Sequence, residues 1–267
     1  VGFLGLRPTL KAIECGKKIA LANKESLVVA GMFIDQSKLM PIDSEHFGLW
    51  YLMQDKKVDS MTVTASGGSF RDYPLEKLKD VTVKEALNHP NWSMGNKITI
   101  DSATMTNKLF ELVEARWLFD IRKLDAIIET KSLIHAMINF ADGSTTAHIA
   151  NANMQLPISY ALMHKVDENI LKHIDLVEVG SLEFKKIEAS RYPIWDIKDE
   201  VLKNDNLGVV VNAANEVGVS KFLNNEIGFL DISKITLDAV NKYNNVKIKT
   251  LDDIFEIDKE IRLKYDS

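Results

Sequence analysis

Carboxylates, lysines and small hydroxyls recur in this sequence at spacings that suit a divalent cation and an anion held side by side. Asp43 and Glu45 lie two residues apart in Pro41-Ile42-Asp43-Ser44-Glu45-His46, just before the apolar helical pattern of Phe47, Leu49, Trp50, Leu52 and Met53. Their hard oxygens suit Mg2+ or Mn2+, and a third carboxylate from elsewhere would make an open site that keeps positions for substrate. Glu111 is the best candidate. It follows Asn107 and Lys108 and precedes Glu114 at three- and four-residue steps, so these side chains project from one helix face. Each piece also has a plainer reading. Asp43 fits a helix cap, Glu45 a favourable first-turn charge, and the second face a solvated surface with a Lys108–Glu111 pair. His46 reads as structural.

Two stretches suit an anion. After an alternating run over 58–64 comes Ser66-Gly67-Gly68, which lets backbone approach an anion closely but is also an ordinary tight turn. The β-rich Ile98-Thr99-Ile100 predicts a strand ending at Asp101-Ser102, and Met105, Leu109, Leu112, Val113 and Trp117 then recur with a helical period. A strand running into a helix N-terminus lets Asp101 or Ser102 cap the free N–H groups, and its first turn could hold a phosphate. Ahead of it, residues 89–95, His-Pro-Asn-Trp-Ser-Met-Gly, are broken by Pro and Gly and suit a lid, although Trp92 and Met94 also fit a buried position.

The elements that must position these residues are those of an open α/β sheet. A helix over 7–16, a strand over 18–22 and a helix from 23–26 to Ala30 give an α-β-α stretch, with Asn23 and Lys24 at the strand's carboxyl end, where ligands gather in such sheets. The same four-residue turn is also a common solvated helix cap. Strands are expected over 58–64, 124–129, 133–140 and 145–150, the last two flanking the hairpin signal Asp142-Gly143. Short strand-like pieces follow at 177–179 and 182–184. Beyond a boundary near 204–206 the chain is helical over 211–224, 232–243 and 251–265, the last opened by a Thr250-x-x-Asp253 capping box. Asn212-Ala213-Ala214-Asn215-Glu216 reads chiefly as a close-packing helix face.

With 267 residues, 46% of them hydrophobic, the chain can bury a sizeable core and hold more than one domain. A net charge of −5 without a basic patch argues against nucleic-acid or membrane-surface binding. A single cysteine, Cys15, offers neither a disulfide framework nor a thiolate metal site and points to a reducing compartment. There is no uninterrupted apolar run of about 18 residues, and a cytoplasmic location is expected.

The blocks ANKES (22–26), PIDSEH (41–46), ASGGSFRD (65–72), HPNWSMGNKITIDSATMTNKLFELVEARWLF (89–119) and VNAANEVGV (211–219) resemble, in order and along essentially the whole chain, the 1-deoxy-D-xylulose 5-phosphate reductoisomerase family. The resemblance implies NADPH and Mg2+, Mn2+ or Co2+ as cofactors. It implies rearrangement and reduction of the phosphosugar to 2-C-methyl-D-erythritol 4-phosphate in isoprenoid precursor synthesis, and inhibition by the phosphonate fosmidomycin. Carried over position by position, it puts metal carboxylates at Asp43, Glu45 and Glu111 and phosphate contacts at Ser66, Ser102, Asn107 and Lys108. Ser44, Lys24 and His89 match its remaining substrate contacts, and Asn23, Glu25 and Gly95 its NADPH contacts. Trp92 and Met94 fall in its closing loop. Lys24, Glu45, His89 and Glu111 are the expected catalytic residues, in a bacterial cytoplasmic homodimer.

The implied architecture is an α/β (α+β) catalytic domain with a mixed sheet over 43–203, a Rossmann-like remnant over 1–42 and a C-terminal helical bundle domain over 204–267. No glycine-rich fingerprint follows a strand, so much of a nucleotide domain is expected to be absent and the chain inactive alone. Ala65 and Ser69 stand where the family usually has Gly and Pro, and Glu129-Thr130-Lys131 where it has His-Pro-Gln. A metal-dependent sugar-phosphate isomerase or aldolase without a redox step, and a non-catalytic fragment, are the alternatives.

Overall fold

The computed structural model describes residues 2–163 and 165–266. Helix α1 (Leu6–Glu14) leads to β1 (Ile19–Leu21), α2 (Lys24–Ala30) and β2 (Leu39–Pro41), with β1 and β2 parallel. Helix α3 (Ser44–Leu52) then precedes β3 (Val58–Ala65), the centre of a mixed five-stranded sheet. β3 pairs in parallel with β4 (Leu124–Glu129) and antiparallel with β5 (Ile134–Phe140); β6 (Thr145–Ile149) and β7 (Phe184–Lys185) form the edges. Between β3 and β4 run the short α4 (Val83–Ala86), α5 (Asn96–Thr104) and α6 (Thr106–Phe119). Helices α7 (Gln155–Met163), α8 (Leu176–Val179) and α9 (Lys198–Lys203) precede three longer ones, α10 (Leu207–Leu223), α11 (Phe229–Lys242) and α12 (Leu251–Asp266). The chain is a mixed α/β protein.

Residues 98–100 are helical, a departure from the strand expected there. Ile-Thr-Ile favours a strand locally, but β-branched residues fit a helix when packing decides, and here Ile100 and Ala103 bury against Phe70, Phe222, Phe229 and Ile232. Asp101 and Ser102 are therefore interior to α5 and cap nothing, and the phosphate-holding first turn expected there does not form. The break comes at Met105, buried and left-handed at φ 71°, where α5 ends and α6 begins. Residues 177–179, expected as a strand, form the single turn α8 capped by Asp175. Of the next piece, 182–184, only Phe184 lies in a strand, β7. α10 and α11 start earlier than their apolar patterns indicate, at Leu207 and Phe229, while the Thr250–Asp253 reciprocal cap forms as read.

The main core joins α2 (Leu27, Val28), α6 (Leu109, Leu112), β3 and β5 (Met61, Ile138) to α10 and α12 (Val210, Ile254). Burying such side chains contributes about 1.5–3 kcal/mol each relative to exposure. The result is a rigid frame on which the carboxyl ends of β1, β2 and β3 open toward one cavity.

Candidate active site

A cavity of about 490 Å³ lies at those strand ends, lined by Lys24 after β1, Asp43, Ser44 and Glu45 after β2, and Ser66 after β3. Helices α5 and α6 add Ser102, Asn107, Lys108 and Glu111, and the 89–95 loop adds His89, Trp92 and Met94. Asp43 is the backbone N-cap of α3, yet its carboxylate makes no capping bond and turns into the site. Oxygens of Asp43, Glu45 and Glu111 all lie within 4.8 Å of one another.

Two lysines hold these carboxylates together. Lys24 Nζ is 2.5 Å from Asp43 Oδ2 and 3.1 Å from Glu111 Oε1, and it donates to Asn107 Oδ1 at 2.8 Å. Lys108 Nζ is 2.9 Å from Glu45 Oε1 and also pairs with the second oxygen of Glu111. Burial opposes charge on Lys24, but Asp43, Glu111 and Glu114 more than reverse this and hold its proton well above the ordinary range. Burial likewise opposes the charge on Asp43 and Glu45, and Lys24 and Lys108 respectively bring both carboxyls below their usual values. Glu111 is raised, by burial and then by Glu45. Three carboxylates against two ammoniums leave the centre anionic.

Behind it, Asp43, His46 and Glu114 form a second close set. His46 Nδ1 lies 3.3 Å from Glu114 Oε2, and its Nε2 meets the backbone oxygen of Glu111 at 2.8 Å. Burial pushes Glu114 up to about 7; it also opposes the proton on His46, but Glu114 and Asp43 bring that group to about 9. Neither His46 nor Glu114 lines the cavity. This set ties α3 to α6, whereas the all-oxygen set faces the open space.

Ser66, His89 and Ser102 form a polar part of the cavity wall. Ser66 Oγ accepts from Gly68 N and lies 2.9 Å from His89 Nε2, which is 3.2 Å from Ser102 Oγ. His89 Nδ1 accepts from the backbone N–H groups of Asn91 and Trp92. Burial, then Arg71, lowers His89 to about 4. The Glu129-Thr130-Lys131 departure forms a compact turn: fully buried Glu129 accepts from the backbone of Lys131, Leu133 and Ile134. Its Thr130 oxygen in turn accepts from Asn91 and Arg71.

Asn23, Glu25 and Gly95 stand outside the cavity wall. Asn23 and Glu25 bond to each other at 2.7 Å, and Gly95 is the exposed residue before α5. Sequence reasoning did not single out His135, Ser132 or Asn153, which also line the cavity; they come from strand and loop positions with no local spacing signal. Lys97 was missed too, although its i,i+4 relation to Asp101 is a helix signature.

Fold and cavity together define an α/β enzyme whose charged groups gather at the carboxyl ends of its strands. Residues 39–119 match the 1-deoxy-D-xylulose 5-phosphate reductoisomerase C-terminal domain, 149–264 the DXP reductoisomerase C-terminal domain and 1–31 the 1-deoxy-D-xylulose 5-phosphate reductoisomerase family. The reductoisomerase of Nautilia profundicola is 60% identical over 98% of this chain and 74% of its own length. That of Campylobacter curvus is 54% identical over 98% and 72%. A DOX-P reductoisomerase solved with NADPH, fosmidomycin and magnesium superposes with a TM-score of 0.92 at 33% identity, covering 99% of this chain and 72% of that one. The Zymomonas mobilis enzyme in complex with NADPH gives 0.87 at 37%, covering 98% and 71%. The chain belongs to the 1-deoxy-D-xylulose 5-phosphate reductoisomerase family.

Proposed function

We propose that the cavity carries out the family's reaction through the residues named above. The reaction is NADPH- and divalent-metal-dependent isomerisation and reduction of 1-deoxy-D-xylulose 5-phosphate to 2-C-methyl-D-erythritol 4-phosphate, a step toward isoprenoid precursors. The observation that carries this reading is the convergence of Asp43, Glu45 and Glu111 oxygens within 4.8 Å on the cavity wall. An all-carboxylate set with hard oxygens fits Mg2+ or Mn2+, and the family resemblance adds Co2+. Such an ion, when bound, supplies Lewis-acid stabilisation of charge developing on substrate oxygens.

The protein's own groups do the rest. Ser66, Ser102, Asn107 and Lys108 hold the substrate phosphate, and His89 donates through Nε2 beside the two serines. Ser44, whose Oγ donates to Glu45 Oε2 at 2.6 Å, and Lys24 hold the substrate's oxygens. Lys24 stays protonated between Asp43 and Glu111, so it offers N–H donors where negative charge forms. Trp92 and Met94 close over the substrate and exclude water. Asn23, Glu25 and Gly95 meet NADPH. Remote phosphate contacts of this kind support chemistry at the other end of the molecule. Fosmidomycin occupies the same groups.

Residues 1–42, with the parallel β1–β2 pair, belong in this reading to a Rossmann-like NADPH-binding unit, 43–203 to the catalytic domain and 204–267 to the helical domain. Exposed Tyr51, Met53, Leu162 and Met163, apolar surface on α3 and α7, suit a homodimer contact. Among the described residues no helix is long and apolar enough to cross a membrane, and the proposed location is the bacterial cytoplasm.

Mn2+ should raise the melting temperature of the chain, and Glu45→Gln should abolish that gain. Equal stabilisation of both proteins would remove the metal assignment.

A further inference from the structure

The hydrogen bonds around Glu25 form a closed circuit that begins and ends on adjacent residues of α10. Asn215 Nδ2 donates to Asp101 Oδ1 at 2.7 Å, and Asp101 Oδ2 pairs with Lys97 Nζ at 2.8 Å. Lys97 also donates to Glu25 Oε1 at 2.6 Å, and Glu25 Oε2 accepts from Asn23 Nδ2 at 2.7 Å. The same Asn23 nitrogen donates to the Gly2 carbonyl at 3.0 Å. That carbonyl shares its peptide unit with the Phe3 N–H, which donates to Glu216 Oε1 at 2.9 Å. Arg262 of α12 holds the other Glu216 oxygen at 2.7 Å.

Asn215 and Glu216 of the Asn212–Glu216 block, read in the sequence as a packing face, thus anchor two separate segments. Asp101 and Asn215 are buried, at 2% and 0% exposure. Bonds in such surroundings are strong when made and costly when broken. None of Lys97, Asp101, Asn215 or Glu216 lines the cavity. Two points within the circuit nevertheless stop one residue from it. Asp101 adjoins Ser102 on α5, and Asn23 and Glu25 flank Lys24.

We propose that Lys97 and Asn215 are positioning residues: through Asp101 and Glu25 they fix the distance between Ser102 and Lys24 across the cavity, with α10 as the common support. The proposal rests on reading Ser102 and Lys24 as substrate contacts. Displacement of such supported groups typically costs tenfold or more in function.

The test is calorimetric titration of the chain with Mn2+ and then with fosmidomycin, for the unchanged protein, Asn215→Ala, Lys97→Met, the double variant and Lys97→Arg. Each single variant is expected to bind fosmidomycin about tenfold more weakly while its Mn2+ affinity stays within about twofold, because the carboxylates sit on α3 and α6. The double variant should lose no more than about twofold beyond the weaker single one, since both act through Asp101. Lys97→Arg keeps the charge and should recover most of the affinity. Should Lys97→Met fail to fold, Asn215→Ala, which removes no charge, carries the test. Lowered melting temperatures with unchanged fosmidomycin affinity, or additive losses, overturn the proposal alone. No fosmidomycin binding by the unchanged chain overturns the reading of the cavity and this proposal with it.

Discussion

The ammonium of Lys24 stands 2.5 Å from Oδ2 of Asp43. It is also 3.1 Å from Glu111, so a lysine bridges two of the three converging carboxylates. It relieves their mutual repulsion, and a divalent cation entering the set has to compete with it. Lys24→Met should therefore raise Mn2+ affinity by at least about tenfold, because a fixed unit charge and a dication a few ångströms apart repel by more than about 1.4 kcal/mol even at the dielectric constant of water. The same change should weaken fosmidomycin, which loses a cationic donor. Calorimetry with each ligand separates the two effects. A fall in Mn2+ affinity would show that Lys24 assembles the carboxylates rather than competing for them.

His89 provides a pH test with a defined sign. Its Nδ1 accepts two backbone N–H groups of its own loop, and Nε2 faces Ser66 and Ser102, so the neutral imidazole with its proton on Nε2 fits the site. Protonation would aim an Nδ1–H at two donors. The folded value near 4 is below the ordinary 6.5, so the unfolded chain binds the proton more readily. The stability this gives is fully present above pH about 6.5 and is lost as pH falls through about 4. Trp92 reports directly, because its N–H is one of the two donors. Its fluorescence should change with a midpoint near 4 in the unchanged protein and lose that transition in His89→Gln. A transition that persists in the variant would belong to another group.

The legibility of the site followed the scale of each signal. Asp43, Glu45 and Glu111 were readable because their spacing within a turn or along a helix face survives any packing. So were the carboxyl end of β1 and the Asp142-Gly143 hairpin, which are local. The segment 98–100 was not, because its β-branched residues state a local preference that burial beside Phe222 and Phe229, more than a hundred residues later, overrides. Lys97 and Asn215 share a network only because α5 and α10 touch, and no spacing in one dimension carries that. Asn23 was read from the end of its strand and resemblance supplied Glu25, while their shared circuit is visible only in the fold.

Ser102 separates anion from metal binding. Its hydroxyl meets His89 Nε2 at 3.2 Å, and no hydrogen bond joins it to Asp43, Glu45 or Glu111. A hydrogen bond to a charged group contributes about 1.5–3 kcal/mol, so Ser102→Ala should weaken fosmidomycin at least about tenfold with Mn2+ affinity within about twofold. Parallel loss of both ligands would mean that α5 itself had shifted.

The turn after β3 is held against α5 more closely than any side chain allows. Gly68 has φ +69°, and a Cβ there would stand 2.6 Å from Ala103 Cα and 2.7 Å from the Ser102 carbonyl oxygen. Backbone cannot yield as a flexible side chain does, so Gly68→Ala should push the turn and α5 apart and carry Ser66 away from Ser102. The expected cost is about 2–3 kcal/mol, from a strained left-handed residue plus the displaced contact, or a fall in melting temperature of several degrees. Gly143 is the matched control: its φ is +86°, but nothing lies within 4 Å of its Cβ position, and it sits in the hairpin away from the cavity. Gly143→Ala should cost only the backbone strain, about 1 kcal/mol, and leave fosmidomycin affinity untouched. Gly68→Ala should lower that affinity about tenfold even well below its melting temperature. Equal fosmidomycin binding by the two variants would show that the spacing of Ser66 and Ser102 does not depend on this contact.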